Sequence, residues 1–209
     1  MKKIWNFIFI KAYYELMNRI ITFLFLSIFL SQAFAHKPVL NENSTYPADA
    51  PYEIEEPEIS KAIYSKLTGD PHYYRIQSDI DFDFYAGILA AKVGECNLEQ
   101  KFSFDVLDSE FHRIILADGE NFEWTPWYEE YGKQWYWNGP EIGKNFLSDR
   151  VYEAGTYYIK VFNESNTGQY IMAVGDIEKF SFTDIVGLLF SMGDIEDEFW
   201  DPSLCPLSS

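Results

Sequence analysis

The sequence predicts an all-β protein, an antiparallel β-sandwich that ends in a short helical tail. Three observations support this prediction. Several runs of the chain alternate apolar and polar residues with a period of two, clusters of Gly, Asn and Asp separate these runs, and the spacing becomes helical after residue 176. Aromatic residues make up 19% of the chain, which supplies the apolar side chains of a core and excludes intrinsic disorder.

The first 35 residues have the organisation of a secretory signal peptide. Arg19 supplies the positive charge, residues 20–30 form an apolar core, and two small residues, Ala33 and Ala35, mark the cleavage site. The core is shorter than the roughly 20 apolar residues that span a bilayer. We therefore predict cleavage after Ala35, a secreted or periplasmic location, and a mature chain, residues 36–209, without a transmembrane anchor.

The start of the chain has two interpretations. Residues 17–35 are a complete signal by themselves, so translation starts at Met17 if residues 1–16 are upstream sequence. If it starts at Met1, residues 1–16 form a long positive region that contains Lys2, Lys3 and Lys11. Both interpretations leave His36 as the mature N-terminus.

The strong negative charge narrows the classes of partner. The whole chain has a net charge of −17, and loss of four basic residues and one acidic residue with the signal peptide gives −20. Because nucleic-acid binding depends on Lys and Arg that neutralise phosphates, we predict no nucleic-acid partner. The sequence does not identify the partner, and a glycan and another protein are the two alternatives.

The mature chain divides into three segments. Residues 36–60 are rich in Pro and Glu and predict an extended lead-in that lies over the domain, residues 61–176 predict the β-sandwich, and residues 177–209 predict the helical tail. Predicted strands lie at 81–85, 102–106, 112–117, 157–161 and 170–174. The polar turn at 163–168 predicts a hairpin between the last two strands.

The helical tail has a recognisable start and one apolar face. Residues 181–184 offer an N-cap, and the apolar side chains that share a face are Ile185, Leu188, Leu189 and Met192. This face either packs against the edge of the sandwich or docks a partner.

The chain contains two cysteines, Cys96 and Cys205. In an oxidising compartment two thiols usually form one disulfide, so we predict a bridge that attaches the C-terminal tail to the domain. The alternative is two separate thiols.

Two sequence motifs resemble a known family. Asp-Pro-His-Tyr-Tyr-Arg-Ile at 70–76 resembles the opening strand of bacterial pre-peptidase C-terminal domains. Gly-Thr-Tyr-Tyr-Ile-Lys-Val at 155–161 and Gly-Gln-Tyr-Ile-Met-Ala-Val-Gly at 168–175 are similar to the paired closing strands of that family, so the resemblance covers residues 60–176. It implies a jelly-roll-like sandwich and an accessory role in secreted proteins. We therefore expect a stand-alone exported relative that binds a ligand and catalyses no reaction.

A mature N-terminal histidine suggests copper as an alternative. His36 would chelate copper through its α-amino nitrogen and ring Nδ1, and a second imidazole from His72 or His112 would complete the site. The other interpretation is that cleavage simply occurs before a polar residue. No cofactor is required by the main prediction.

Residues 122–137 form a conspicuously aromatic run. Eight of these sixteen residues are aromatic, and four of the six tryptophans of the chain lie here. The candidate ligand-binding residues are Trp124, Trp127, Tyr128, Tyr131, Trp135 and Trp137. Exposed rings would stack on sugars or contact a protein partner, whereas a long loop that folds back would bury them as structural residues.

Three acidic residues at alternate positions suggest calcium as a further alternative. A strand would place Asp79, Asp81 and Asp83 on one face, where a cation would relieve the repulsion between their carboxylates. The alternative is a solvated acidic face. Motifs of common hydrolases, metalloproteases and nucleotide-binding loops are not present in the sequence, and so we do not expect an enzyme.

Overall fold

The computed structural model describes residues 36–41, 45–130, 132–179 and 193–205, together with positions 17 and 19. The chain separates into two units, residues 1–34 and residues 35–209, and the second contains the sheets. Apart from positions 17 and 19, the predicted signal peptide lies outside the described residues, as does the predicted helical face of residues 185–192. Among those that are described, no helix is long and apolar enough to cross a membrane.

The described residues form two main sheets, which confirms the predicted β-sandwich. Sheet A has the strand order β1 (Lys37–Leu40), β3 (Lys61–Thr68), β13 (Thr167–Val174), β6 (Ala86–Ala91), β10 (Gln134–Ile142) and β9 (Thr125–Glu129). Sheet B has the order β2 (Tyr52–Ile54), β4 (His72–Ser78), β12 (Gly155–Phe162), β7 (Ser103–Leu107) and β8 (Arg113–Ala117). A two-stranded ribbon joins β5 (Phe82–Asp83) to β11 (Val151–Tyr152).

The strands pair antiparallel except at one edge of each sheet. Strand β1 runs parallel to β3, and β2 runs parallel to β4. Both parallel strands come from residues 36–60, which were expected to lie over the domain as an extended lead-in. Extended backbone of this kind presents unpaired N–H and C=O groups, and these are satisfied here by pairing with the sheet edges.

The period-two pattern sorts the strand residues between two apolar layers. The inward layer lies between the sheets and includes Ile63, Leu67, Tyr74, Ile76, Phe104, Val106, Ile159, Val161, Tyr170 and Met172. Alternate residues of sheet A, such as Tyr64 and Ile171, point to its outer face. There Ile195 and Phe199 cover them, because residues 193–199 are helical and lie on this face. The described part of the predicted helical tail therefore packs against the sandwich.

The predicted hairpin between β12 and β13 is wrong. Strand β12 pairs with β4 and β7 in sheet B, whereas β13 pairs with β3 and β6 in sheet A. The turn between them carries the chain from one sheet to the other. The Asn163 side chain holds this turn, since its Nδ2 donates to the Thr167 carbonyl (2.8 Å) and its Oδ1 accepts from the Thr167 amide (3.1 Å).

The predicted disulfide joins Cys96 to Cys205, whose Cα atoms are 5.7 Å apart. It connects the loop between β6 and β7 to the C-terminal tail. In the described residues no free cysteine remains.

Candidate functional site

The aromatic run forms an edge hairpin where a long loop was expected. Strand β9 pairs antiparallel with β10, so Tyr128 lies opposite Trp135, Pro126 opposite Trp137, and Trp127 opposite Tyr136. Paired residues share a face of the sheet, and successive residues alternate between faces. The hairpin therefore places Trp127 and Tyr136 on one face of sheet A and Tyr128, Trp135 and Trp137 on the other.

Trp124 and Trp127 are structural, and they belong to different apolar clusters on the two sides of sheet A. Trp124 is only 8% exposed, and its Nε1 donates a hydrogen bond to the Gly119 carbonyl (2.8 Å). Trp127 packs between Tyr136, at 5.6 Å between ring centroids, and Phe146, at 4.8 Å. These contacts place both tryptophans in the apolar packing of the sandwich.

The face opposite Trp127 carries an aromatic strip, which runs from the core between the sheets out into solvent. Tyr128 is 40% exposed and Trp135 is 47% exposed, and their ring centroids are 5.1 Å apart. Trp137 lies two residues further along the same face and is half-buried, with Lys92 Nζ 5.7 Å from its ring centroid. We define these three residues, Tyr128, Trp135 and Trp137, as the aromatic strip. Tyr131 lies outside the described residues.

A cleft of about 260 Å³ adjoins the buried end of the strip, where Trp137 lines it. Residues of β6, the loop after β6, the start of β13 and the C-terminal tail form its walls. The apolar wall residues include Leu98, Phe102, Phe199 and Leu204. A cavity of roughly 150 Å³ holds a benzene ring, so this cleft has the volume for one substituted six-membered ring.

Two carboxamides line the cleft and are held in place by hydrogen bonds. Gln100 Nε2 donates to Thr167 Oγ1 (3.2 Å), and Gln169 Nε2 donates to the Glu198 carbonyl (3.1 Å). Both bonds use the amide nitrogen, so these bonds leave each side-chain carbonyl oxygen able to accept another hydrogen bond. Gly168 permits this arrangement, since a Cβ there would lie 1.5 Å from Gln100 Oε1.

His36 and His72 are enclosed in different parts of the sandwich. The His36 ring stacks 6.2 Å from Tyr85 and hydrogen-bonds to Ser60 Oγ on the outer side of sheet A. His72 is fully buried between the sheets, where its Nδ1 hydrogen-bonds to the Tyr170 hydroxyl (2.8 Å). Burial lowers the pKa of both histidines to about 4.

His112 lies in a third environment, exposed at the turn between β7 and β8. Its Nδ1 is 3.4 Å from Asp108 Oδ2 and 3.6 Å from Glu110 Oε2. His36 and the two histidines considered as its partner in a copper site, His72 and His112, thus have separate sets of neighbours. No group of three or more His, Cys, Asp or Glu side chains is arranged to hold a metal ion in the part of the chain that the structure describes.

The three aspartates do not share a strand. Asp79 lies in a bend after β4, Asp81 precedes β5, and only Asp83 is within that short strand. All three are exposed, and Asp81 Oδ1 accepts a hydrogen bond from the Ala154 amide (2.9 Å). The common strand face expected for a calcium site is therefore not formed, because the chain bends at residues 79 and 80.

One solved structure that is similar to this chain is a bacterial pre-peptidase C-terminal domain. The structure is similar to the 1.0 Å crystal structure of the pre-peptidase C-terminal domain of a collagenase from Bacillus anthracis, with a TM-score of 0.33 and 11% sequence identity. The similarity covers 65% of this chain and 98% of the collagenase domain. No protein-family model and no curated protein matches the chain.

Sequence reasoning named the strip residues among six candidates without separating them from Trp124 and Trp127, and it missed the cleft. The wall residues Leu98, Gln100, Gln169 and Leu204 belong to segments that are far apart in the chain and follow no local pattern. The sequence contained one indication of this region. Gly168 follows a polar turn, and the two cysteines, Cys96 and Cys205, lie before and after it in the chain. Only the folded arrangement shows that these positions surround one cavity.

Proposed function

We propose that this chain is an exported, non-catalytic binding module that holds a glycan along the aromatic strip and in the adjoining cleft. The observation that carries the proposal is the exposed Tyr128 and Trp135 pair, which shares a hairpin face with Trp137 at the cleft. Solvent-exposed rings in a row are otherwise costly, since burying apolar area contributes about 25 cal/mol per Å².

The chemistry of the site suits a neutral sugar. Aromatic faces pack against the apolar C–H faces of sugar rings, and carboxamides such as Gln100 and Gln169 hydrogen-bond to hydroxyl groups. Lys66 and Glu99, both at the cleft, add one charge of each sign, so this lining favours neither an anionic nor a cationic ligand. Affinity would then come from stacking and from desolvation of the rings.

The polar groups of the site support binding over cleavage. Glycoside hydrolysis normally uses two carboxylates on opposite sides of the scissile bond. Among the described residues that line the cleft, Glu99 is the sole carboxylate. An accessory role without catalysis fits this lining.

Titration of oligosaccharides against tryptophan fluorescence tests the proposal. The probes are hexasaccharides of β-1,4-glucose, β-1,3-glucose and β-1,4-N-acetylglucosamine, with calorimetry for any that quench. Trp135→Ala should weaken binding by at least about tenfold, which corresponds to 1.4 kcal/mol. Phe111→Ala removes a ring of similar exposure, 42%, from the far sheet and should leave affinity unchanged. Binding of none of the three probes, or equal binding by Trp135→Ala, would contradict the proposal.

A further inference from the structure

The C-terminal tail is attached differently on the two sides of Trp200. Before this residue, Ile195 and Phe199 are buried on sheet A, and Trp200 Nε1 donates a hydrogen bond to the Trp135 carbonyl (2.9 Å). After it, the 3₁₀ turn Pro202–Leu204 has no buried residue, and Asp201 caps it locally by accepting from the Ser203 amide (2.8 Å). The disulfide is the covalent link that attaches these last described residues to the loop after β6.

The opposite wall of the cleft is the loop after β6, which likewise has a local turn and exposed residues. The loop after β6 closes a local turn, in which the Cys96 amide donates to the Val93 carbonyl (3.1 Å). Gly94, Glu95 and Asn97 within it are exposed. The bond from Cys96 to Cys205 joins this loop to the tail, and both segments line the cleft.

We infer that the Cys96–Cys205 disulfide assembles the ligand cleft, so that its reduction opens the cleft and weakens ligand binding while both sheets stay folded. The effect on ligand rests on the function proposed above, but the opening of the cleft does not. The sheets keep their own attachment to the tail, since Phe199 lies 5.1 Å from Tyr64 between ring centroids in a cluster that excludes both cysteines.

A soluble dithiol is the class of reductant required. It donates two electrons and two protons, breaks the bond between the Cys96 and Cys205 sulfurs to leave two thiols, and is itself oxidised to a cyclic disulfide. Both cysteines are partly exposed, which gives the attacking thiolate access. Ligand binding at this site would then respond to the redox state of the surroundings.

Hydrogen exchange on the unliganded chain tests the opening directly. With dithiothreitol, amides of residues 93–98 and 201–205 should exchange faster, and those of β6 and β13 should keep their protection. Uniform loss of protection across β6 and β13 would show that the disulfide holds the entire fold and would overturn the inference. An unchanged exchange pattern would overturn it as well.

Binding measurements then test the consequence for ligand, using any hexasaccharide that binds the oxidised chain. Reduction, or the pair Cys96→Ser and Cys205→Ser, should weaken binding by about tenfold or more. Leu204→Glu keeps the disulfide but places a charge in the cleft wall, and the same loss is expected. Leu116→Glu is its matched control, because Leu116 is 43% exposed on sheet B and Leu204 is 44% exposed.

The outcomes separate the two proposals. Equal affinity in the oxidised and reduced states would overturn the inference and leave the glycan function standing. If no hexasaccharide binds the oxidised chain, the proposed function fails, and the hydrogen-exchange result still decides whether the disulfide assembles the cleft.

Discussion

At the scale of single residues, the most unusual feature is a polar cluster between the sheets. The Tyr74 and Tyr170 hydroxyls are 2.6 Å apart, and Tyr170 also hydrogen-bonds to His72. His72 Nε2 is buried and has no hydrogen-bond partner within the described structure. A protonated imidazole would carry an uncompensated charge in this position, so the folded chain retains the neutral form.

The buried histidines predict a loss of stability in mild acid. The unfolded chain protonates His36 and His72 near pH 6.5, whereas burial lowers their pKa to about 4 in the folded chain. Their stabilising contribution is therefore present above pH 6.5 and is lost as the pH falls from 6.5 to 4, by roughly 3 kcal/mol for each histidine. Urea unfolding at pH 7.0, 5.5 and 4.5 measures this.

Substitution of His72 tests whether this histidine causes the loss of stability in acid. His72→Gln should reduce the difference in unfolding free energy between pH 7.0 and 4.5, because glutamine does not titrate. An unaltered pH dependence in His72→Gln would contradict the assignment.

The buried Trp124 and the exposed Trp135 should contribute very different amounts to the free energy of unfolding. Trp124→Ala removes a buried ring and its hydrogen bond to Gly119, with an expected loss of about 3–5 kcal/mol. Trp135→Ala removes an exposed ring and should cost less than about 1 kcal/mol. Urea unfolding monitored by circular dichroism measures both variants, and equal losses would refute the division into structural and solvent-facing rings.

At the scale of elements, the connection from β12 to β13 decides how the chain fills the two sheets. Asn166 and Gly168 both adopt positive φ, at 49° and 105°, which gives this short turn the bend that crosses between sheets. Gly168 then brings its Cα against the Gln100 side chain at the cleft. Gly168 therefore contributes both to the geometry of the turn and to the shape of the cleft.

Gly168→Ala should destabilise the protein and displace Gln100. Its φ of 105° is unfavourable for alanine, and the new Cβ would lie 1.5 Å from Gln100 Oε1. Gly69→Ala is the matched control, because Gly69 has a φ of 123° but no neighbouring atom within 4 Å. We expect Gly168→Ala to lower the free energy of unfolding by at least about 1 kcal/mol more than Gly69→Ala. Equal losses in urea unfolding would show that the contact has no energetic effect.

At the scale of the whole molecule, charge acts on stability as well as on partner choice. A net charge of −17 over 209 residues repels itself in the folded state. Raising sodium chloride from about 0.01 M to about 0.15 M shortens the screening length from roughly 30 Å to 8 Å, so the urea midpoint should rise. A midpoint that falls with salt would contradict this.

Calcium chloride at matched ionic strength extends the same experiment. The described residues contain no group of three side chains arranged to bind a metal ion. We therefore expect calcium chloride to shift the urea midpoint by the same amount as sodium chloride. A larger shift with calcium, abolished by substitution of Asp79, Asp81 and Asp83, would establish the ion site considered from the sequence.

The sequence by itself determined those features that depend on local periodicity and on cysteine pairing. Alternation at 157–161 and 170–174 marked β12 and β13, because a strand with one buried face must repeat every two residues. The count of two cysteines indicated the bridge from Cys96 to Cys205. Neither inference required knowledge of which strands are neighbours.

Only the tertiary structure decided which strands pair and which rings are exposed. A polar turn such as 163–168 is equally suited to a hairpin or to a crossing between sheets, and the choice depends on partners distant in sequence. Likewise, Trp124 is buried because it lies over the core, whereas Trp135 is exposed because it projects beyond the edge of the core. The cleft follows from the same cause, since its walls come from segments that folding alone brings together.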